Sequence, residues 1–180
     1  MVLRLWLLSL LIGCIPRTGS PVISDQGLSV RTTAVVLDAN GQSLEAAEDA
    51  LVQAITEQLS LRNLGVVPVS ARDTDLNLIP LSQHRLIWLA NQPEEAELVL
   101  LLDARADFFA QMIGRYRWLV KAELILADPA NLDQALTRQL EVPVFLQYHH
   151  LREADAIEAA TPTLMREFGT MLDAWILAPE

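Results

Sequence analysis

The chain has 180 residues, of which 52% are hydrophobic, and it carries 13 Lys and Arg against 23 Asp and Glu for a net charge of −10. So acidic a chain is a poor partner for nucleic acid, whose binding depends on cationic contacts to phosphate. The length suits one domain with its own hydrophobic core. Cys14 is the one cysteine, so that core forms without an internal disulfide.

An apolar stretch at the amino terminus has the form of a secretory leader. Arg4 precedes an apolar run that ends at Ile15, where Pro16 and Arg17 follow. A charged residue, a short apolar core and a small residue before a cut are the parts of a signal peptide. The run is too short for a membrane-spanning helix, which needs roughly 17–25 apolar residues.

The end of this leader, Leu11-Ile12-Gly13-Cys14, resembles a bacterial lipobox. The resemblance implies cleavage before Cys14 and attachment of a diacylglycerol and an acyl chain such as palmitate to that residue. Ile15, rather than Asp, follows the cysteine, which in the enterobacterial sorting pattern indicates the outer membrane. We therefore expect a signal peptide over 1–13, a lipidated cysteine and tether over 14–27, and a single periplasmic domain over 28–180 with an insert at 70–95.

The first half of the domain is expected to form a strand, a helix and a second strand. β-Branched residues over 28–37 predict the first strand. Ser43 is expected to cap a helix that runs to about Asn63. Residues 66–69 predict a second strand, and Pro68, which lacks an amide donor, places it at a sheet edge.

The insert at 70–95 is harder to interpret. Residues 80–91 match an amphipathic helix that carries Trp88 among its apolar side chains. Two interpretations stay open: the helix packs over a sheet face, or it is an exposed apolar segment for a partner.

Three more strands are predicted after the insert. The apolar run at 97–102 predicts a central strand covered on both faces, with residues 107–114 as its end and turn. Residues 116–126 alternate with period two, which predicts one core-facing row: Tyr116, Trp118, Val120, Ala122, Leu124 and Leu126. In the fifth strand, 136–147, Arg138 interrupts the apolar side and Pro143 indicates an edge.

The closing helix is predicted over 153–177 from apolar residues at three- and four-residue steps. Pro162 either kinks this helix or starts a second segment capped by Thr161. The order of elements predicts an α/β (α+β) two-layer sandwich, with a mixed sheet of about four to five strands and two main helices on one face.

Candidate catalytic and metal-binding residues are few. His149 and His150, near Glu153 and Asp155, are the best metal candidates. Neighbouring histidines on a strand point to opposite faces, and a helix would bring only His149 and Glu153 together. Metal sites usually need three or four ligands, so we expect these histidines to cap the junction between sheet and helix, with no metal bound.

Two carboxylates at the end of the third predicted strand are the other candidates for chemistry. We expect Asp103 or Asp107 to pair with Arg115 or Arg117 across a hairpin, which is a structural role. Neither a Gly-x-Ser-x-Gly nucleophile motif nor a phosphate-binding glycine loop is present. We therefore expect no catalytic residue, no cofactor and no enzymatic activity.

Aromatic side chains offer candidate partner contacts. Phe108 and Phe109 precede the turn of the predicted hairpin, where they either anchor a partner or close one end of the core. Trp88 of the insert is a third candidate partner-binding residue.

The pattern of elements resembles two families of periplasmic lipoproteins. Residues 46–69, 97–128 and the closing helix to Trp175 are similar to the LPS-assembly lipoprotein. Glu94 to Val99, followed by a long hairpin, equally resembles the outer-membrane activator of penicillin-binding proteins and related curli-secretion and Tol-type domains. The insert at 70–95 departs from both families, and only Cys14 is matched by a specific motif.

These resemblances imply an outer-membrane-anchored, non-catalytic binding or scaffold component of envelope biogenesis, with an envelope protein as partner, either a β-barrel or an assembly complex. A peptidoglycan-synthase activator or a secretion-complex component is the alternative. About a dozen tether residues reach at most some 45 Å, which disfavours an activator that crosses the peptidoglycan. An alternative of another class is a metal-dependent envelope enzyme that uses His149 and His150.

Overall fold

In the part of the chain that the structure describes, the fold consists of five β-strands and three α-helices. The structure, a computed structural model, describes residues 28–93, 96–112, 115–131, 134–147 and 152–177. Its elements are β1 (Ser29–Leu37), α1 (Glu45–Ser60), β2 (Gly65–Pro68), α2 (Leu81–Ala90), β3 (Leu98–Met112), β4 (Arg115–Ala127), β5 (Leu136–Gln147) and α3 (Glu153–Ile176). A short 3-10 turn, Leu76–Leu78, precedes α2.

The five strands form one mixed sheet in the order β2-β1-β3-β4-β5. β1 pairs in parallel with β2 and β3, whereas β3, β4 and β5 are antiparallel. β3 lies at the centre, and β2 and β5 lie at the edges, as their prolines predict. The predicted fold class is confirmed.

One face of the sheet packs against α1 and α3 and forms the larger hydrophobic core. The helices contribute Leu51, Ile55, Leu59, Ile157, Leu164 and Phe168, and the strands contribute Leu100, Leu102, Val120, Leu124 and Leu126. The alternation of β4 confirms the predicted core-facing row, although Tyr116 at its start is only partly buried. α3 carries its apolar residues at the predicted helical spacing.

The insert packs within the domain, which decides between its two interpretations. α2 lies on the face of the sheet opposite α1 and α3, where a second apolar cluster includes Trp88, Leu76, Leu101 and Ile125.

Among the described residues, none of the helices combines the length and the hydropathy of a transmembrane segment.

Several local predictions are corrected. β3 is a single strand of 15 residues that continues through the segment predicted as a turn, with an irregularity between Phe108 and Ala110. α1 starts after Leu44, and Ser43 donates its hydroxyl to Glu48 instead of capping the helix. Pro162 lies inside one continuous helix, so no second segment begins there.

Arg138, which interrupts the apolar side of β5, has a partner on the helix above it. Its guanidinium lies 2.7 Å from the carboxylate of Glu167 in α3. A charged residue on the core side of this edge strand is therefore accommodated by an ion pair at the rim of the core.

Candidate functional site

The face of the sheet opposite α1 and α3 is arranged in rows across β3, β4 and β5. From the start of β3 towards the hairpin, the register aligns Leu101–Ile125–Thr137, Asp103–Glu123–Gln139, Arg105–Lys121–Glu141, Asp107–Leu119–Pro143 and then Arg117–Phe145. Alternate residues of a strand share a face, so these rows project on the same side of the sheet. This side is called the second face below.

The insert covers one half of the second face. Trp88 of α2 and Leu76 of the 3-10 turn have no exposed surface and pack with Val99, Leu101 and Ile125. The sequence accounts for this contact because β3 is apolar at every position from 98 to 102, as expected for a strand covered on both sides.

A buried histidine and a buried carboxylate lie at the border of the covered half. His84 of α2 is fully buried, and its Nδ1 lies 2.8 Å from Oδ1 of Asp103 in β3. Nε2 of the same ring lies 3.0 Å from the carbonyl oxygen of Ile79. A carbonyl oxygen only accepts hydrogen bonds, so Nε2 carries a hydrogen and donates it.

The pKa of each group in this pair is raised by its surroundings. Burial alone would lower the pKa of His84, but the hydrogen bond and charge of Asp103, together with the carbonyls of Ile79 and Leu76, raise that pKa above 6.5. Burial raises the pKa of Asp103 above 3.8 against the opposing effect of His84, and the nearby charge of Glu123 adds to the rise. Both groups therefore hold a proton more tightly than they would in water.

The geometry assigns this pair a structural role. Both ring nitrogens of His84 are already engaged, and the ring has no exposed surface. A general base needs a nitrogen within reach of its substrate, and His84 offers none in this arrangement. The pair instead joins α2 to β3 at the border of the covered half.

Beyond His84 the second face is open and polar. A shallow cleft of about 340 Å³ lies beside α2 and is lined by Ser82, Arg105, Lys121, Glu123 and Glu141 among others. Lys121 Nζ lies 2.9 Å from Oδ2 of Asp107, and Arg105 lies 3.9 Å from the same oxygen. Both signs of charge alternate here, which suits a polar protein contact better than a pocket for a single small ion.

The hairpin end of the second face is aromatic and cationic. A bulge at Phe109 interrupts the register of β3 with β4, and bulges commonly re-aim side chains. The guanidinium carbon of Arg117 lies 4.6 Å from the centroid of Phe109 and 6.0 Å from that of Phe145. The rings are 62% and 58% exposed, so Arg117 lies between two aromatic side chains at the surface.

The helix-covered face also carries an aromatic cluster at this end. Phe108 is 54% exposed and packs against Tyr116 and Trp118, with ring centroids 6.2 and 5.4 Å away. Trp118 is buried, so the cluster closes one end of the core while leaving much of Phe108 at the surface.

The structure separates the three candidate contact residues. Phe108 and Phe109 lie on opposite faces at the hairpin end, and both present a large exposed surface. Trp88 is fully buried between α2 and the sheet, so its side chain is not accessible to a partner. The binding role of the two phenylalanines stays a prediction.

The predicted ion pairs across the hairpin are wrong. Asp103 pairs with His84, and Asp107 pairs with Lys121 and Arg105. Arg115 and Arg117 lie at the start of β4, opposite Met112 and Ala110, and Arg117 contacts aromatic rings instead. The prediction failed because β3 continues to Met112, which moves the turn, and with it both arginines, away from the two carboxylates.

Other candidates fall outside the described residues. These are Cys14, His149 and His150, so the lipidation site and the metal-dependent alternative stay predictions. Within the described part of the chain, no group of three or more His, Cys, Asp or Glu side chains is placed to hold a metal ion.

The contact between His84 and Asp103 was missed from the sequence, although a signal for it exists. His84 precedes Trp88 by four residues and so shares the buried face of α2. Asp103 continues the alternation of Val99 and Leu101 in β3, where a carboxylate directed towards an apolar cluster requires a partner.

Comparisons with known proteins give only distant structural likenesses. No protein-family model matches the chain, and no curated protein matches its sequence. Among solved structures, it is similar to lipoprotein GNA1162 of Neisseria meningitidis, with 12% identity, coverage of 79% of this chain and 99% of that one, and a TM-score of 0.46.

The chain is also similar to two further solved structures. The PelC dodecamer of Paraburkholderia phytofirmans gives 12% identity, coverage of 82% and 93%, and a TM-score of 0.43. Rare lipoprotein B of Shewanella oneidensis gives 14% identity, coverage of 78% and 88%, and a TM-score of 0.30. Lipoproteins are thus found among the structures that the chain resembles.

Proposed function

We propose that this chain is a lipid-anchored lipoprotein of the outer membrane that acts as a non-catalytic binding component of an envelope assembly. Cleavage before Cys14 and lipidation of that residue would tie the domain to the periplasmic side of the membrane. Each buried CH₂ contributes about 0.8 kcal/mol, so two or three acyl chains hold a protein stably. The support for the anchor is the motif Leu11-Ile12-Gly13-Cys14.

The observation that carries the binding role is the uncovered half of the second face. α2 seals the apolar rows, whereas the row Arg105–Lys121–Glu141 stays open beside it. Charges of both signs on a rigid sheet favour recognition by a complementary protein surface. An assembly partner in the same membrane, such as a β-barrel as in LPS assembly, lies within reach of the short tether.

Site-specific photo-crosslinking in cells tests this proposal. A photoreactive amino acid at Lys121 or Glu141 should yield discrete crosslinked proteins. The matched control is Asp49, an exposed residue of α1 on the other side of the sheet. Crosslinks at Lys121 that are absent at Asp49 would support the proposal, and no crosslinked protein at either open-face position would contradict it.

A further inference from the structure

We propose that the hairpin end of the sheet, formed by Phe108, Phe109, Arg115, Arg117 and Phe145, binds the surface of an anionic lipid bilayer. This contact is separate from the lipid on Cys14 and goes beyond the proposed binding function. The open row at Arg105 and Lys121 remains the contact surface for a protein partner.

Charge distribution is the first support. Residues 108–120 and 142–147 contain no Asp or Glu, in a chain with 23 acidic residues. Within the described residues, Arg115 and Arg117 have no carboxylate within ion-pair distance, and Arg117 is held between aromatic rings. A guanidinium stacked on a ring keeps its N–H edge available for a phosphate.

Two acidic residues near the hairpin end are already paired. Asp107 pairs with Lys121, and Asp155 at the start of α3 pairs with Arg152 at 3.6 Å. The electrostatic effect of unpaired carboxylates farther away is screened by salt at physiological ionic strength, where the Debye length is about 8 Å. The negative charge of the whole chain therefore does not cancel the cationic character of this end.

Exposed phenylalanines on both faces identify a bilayer as the occupant. Phe108 lies on the helix-covered face, whereas Phe109 and Phe145 lie on the second face, and each is more than half exposed. A rigid protein partner would cover one face of this end of the sheet. A lipid interface can contact both faces of the end and favours aromatic rings beside cationic side chains.

The apolar residues of the tether nearest the domain are too close to β1 to reach this end. β1 starts beside Leu98, and the hairpin end lies about 36 Å farther along β3, at roughly 3.3 Å per residue. The apolar residues Val22 and Ile23 lie only five or six residues before Leu28, a reach of at most about 22 Å. End-to-end contact with a second copy is also disfavoured, because two such cationic ends would repel each other.

Vesicle flotation tests the proposal with the mature chain, residues 14–180, carrying Cys14→Ser so that no lipid is attached. Vesicles of phosphatidylglycerol mixed with phosphatidylcholine are compared with vesicles of phosphatidylcholine alone, at about 0.15 M salt. We expect binding to the anionic vesicles that weakens as salt is added. Each arginine should contribute about fivefold to the partition coefficient.

Matched variants localise the contact. Two double variants should each lower the partition coefficient by about tenfold or more. One combines Arg115→Ala with Arg117→Ala, and the other combines Phe109→Ser with Phe145→Ser. Arg166→Ala and Leu86→Ser, at exposed positions on α3 and α2, should bind as the parent chain does. Circular dichroism of every variant checks that it folds.

A second measurement detects the membrane contact directly, in labelled variants that still bind. An environment-sensitive dye on Phe145→Cys should shift its emission to the blue when anionic vesicles are added, whereas the same dye on Leu86→Cys should not. Each of four results would overturn the proposal. The parent chain does not bind, or it binds equally to vesicles of phosphatidylcholine alone. The hairpin variants bind as the parent chain does, or inorganic phosphate displaces the protein. Because the probe chain carries no lipid, these outcomes are independent of whether Cys14 is lipidated.

Discussion

The Nδ1 atom of His84 lies 2.8 Å from Oδ1 of Asp103, and this contact joins the insert helix to the central strand of the sheet. Both side chains are buried, and Nε2 of the same histidine donates to the carbonyl of Ile79. The contact marks the border between the sealed and the open half of the second face. The insert therefore defines how much of the second face stays open.

Removal of either side chain of this pair should destabilise the domain strongly. His84→Ala leaves Asp103 buried without its partner, and breaking a buried pair in this way typically costs about 3–5 kcal/mol. Replacing both residues by leucine should recover most of that loss. Urea unfolding of the single and double variants checks this, and a single variant within about 1 kcal/mol of the parent would contradict a structural role for the pair.

Stability should fall as the pH rises through the folded-state pKa of His84. Because the pKa of His84 is raised above 6.5, the folded state binds this proton more tightly than the unfolded state does. The stabilisation is fully present below about pH 6.5 and is lost above the folded pKa. Asp103, whose pKa is also raised, contributes in the same direction at lower pH.

Urea unfolding midpoints measured from pH 6 upwards should fall for the parent chain and fall less for the double leucine variant. A midpoint of the parent chain that rises with pH would refute the assignment.

Trp88 should contribute to stability and not to binding. Its side chain is fully buried, so Trp88→Ala should lower the free energy of unfolding by about 3–5 kcal/mol. Leu86 on the same helix is 68% exposed, and Leu86→Ala should change stability by no more than about 0.5 kcal/mol. Thermal unfolding of the two variants gives the comparison. Equal effects would mean that α2 does not pack as described.

Glu48 should matter more than Glu45, although both lie in the first turn of α1. Glu48 is buried and accepts hydrogen bonds from the backbone N–H of Val36 and the hydroxyl of Ser43. Glu48→Ala should therefore cost about 1–3 kcal/mol, since it leaves a buried donor without a partner. Glu45 is exposed and pairs at the surface with Arg72, so Glu45→Ala should cost less than about 1 kcal/mol. Denaturant unfolding distinguishes them, and the reverse order would be inconsistent with the contact at Val36.

Local patterns were sufficient to predict most of the fold. The alternation of residues 116–126 identified the core face of β4, because period two survives wherever one face is buried. Pro68 and Pro143 identified the two edge strands, because each lacks an amide donor. These signals depend only on neighbouring residues.

Features that depend on distant residues were predicted less well. The bulge at Phe109 breaks the alternation of β3, so the strand was expected to end too early. The carboxylate of Glu48 in α1 accepts a hydrogen bond from Val36 of β1, twelve residues away, and no local pattern indicates this contact. His84 and Asp103 are nineteen residues apart, and although local spacing places each on a buried face, it does not specify that they meet.

The anchor at Cys14 is the central claim, and mass spectrometry of the amino-terminal peptide of the protein purified from membranes tests it most directly. We expect a chain that begins at Cys14 and carries a diacylglycerol and an acyl group, with Cys14→Ser leaving the leader uncleaved. A chain that keeps residues 1–13, or an unmodified Cys14 in the membrane-derived protein, would contradict the account.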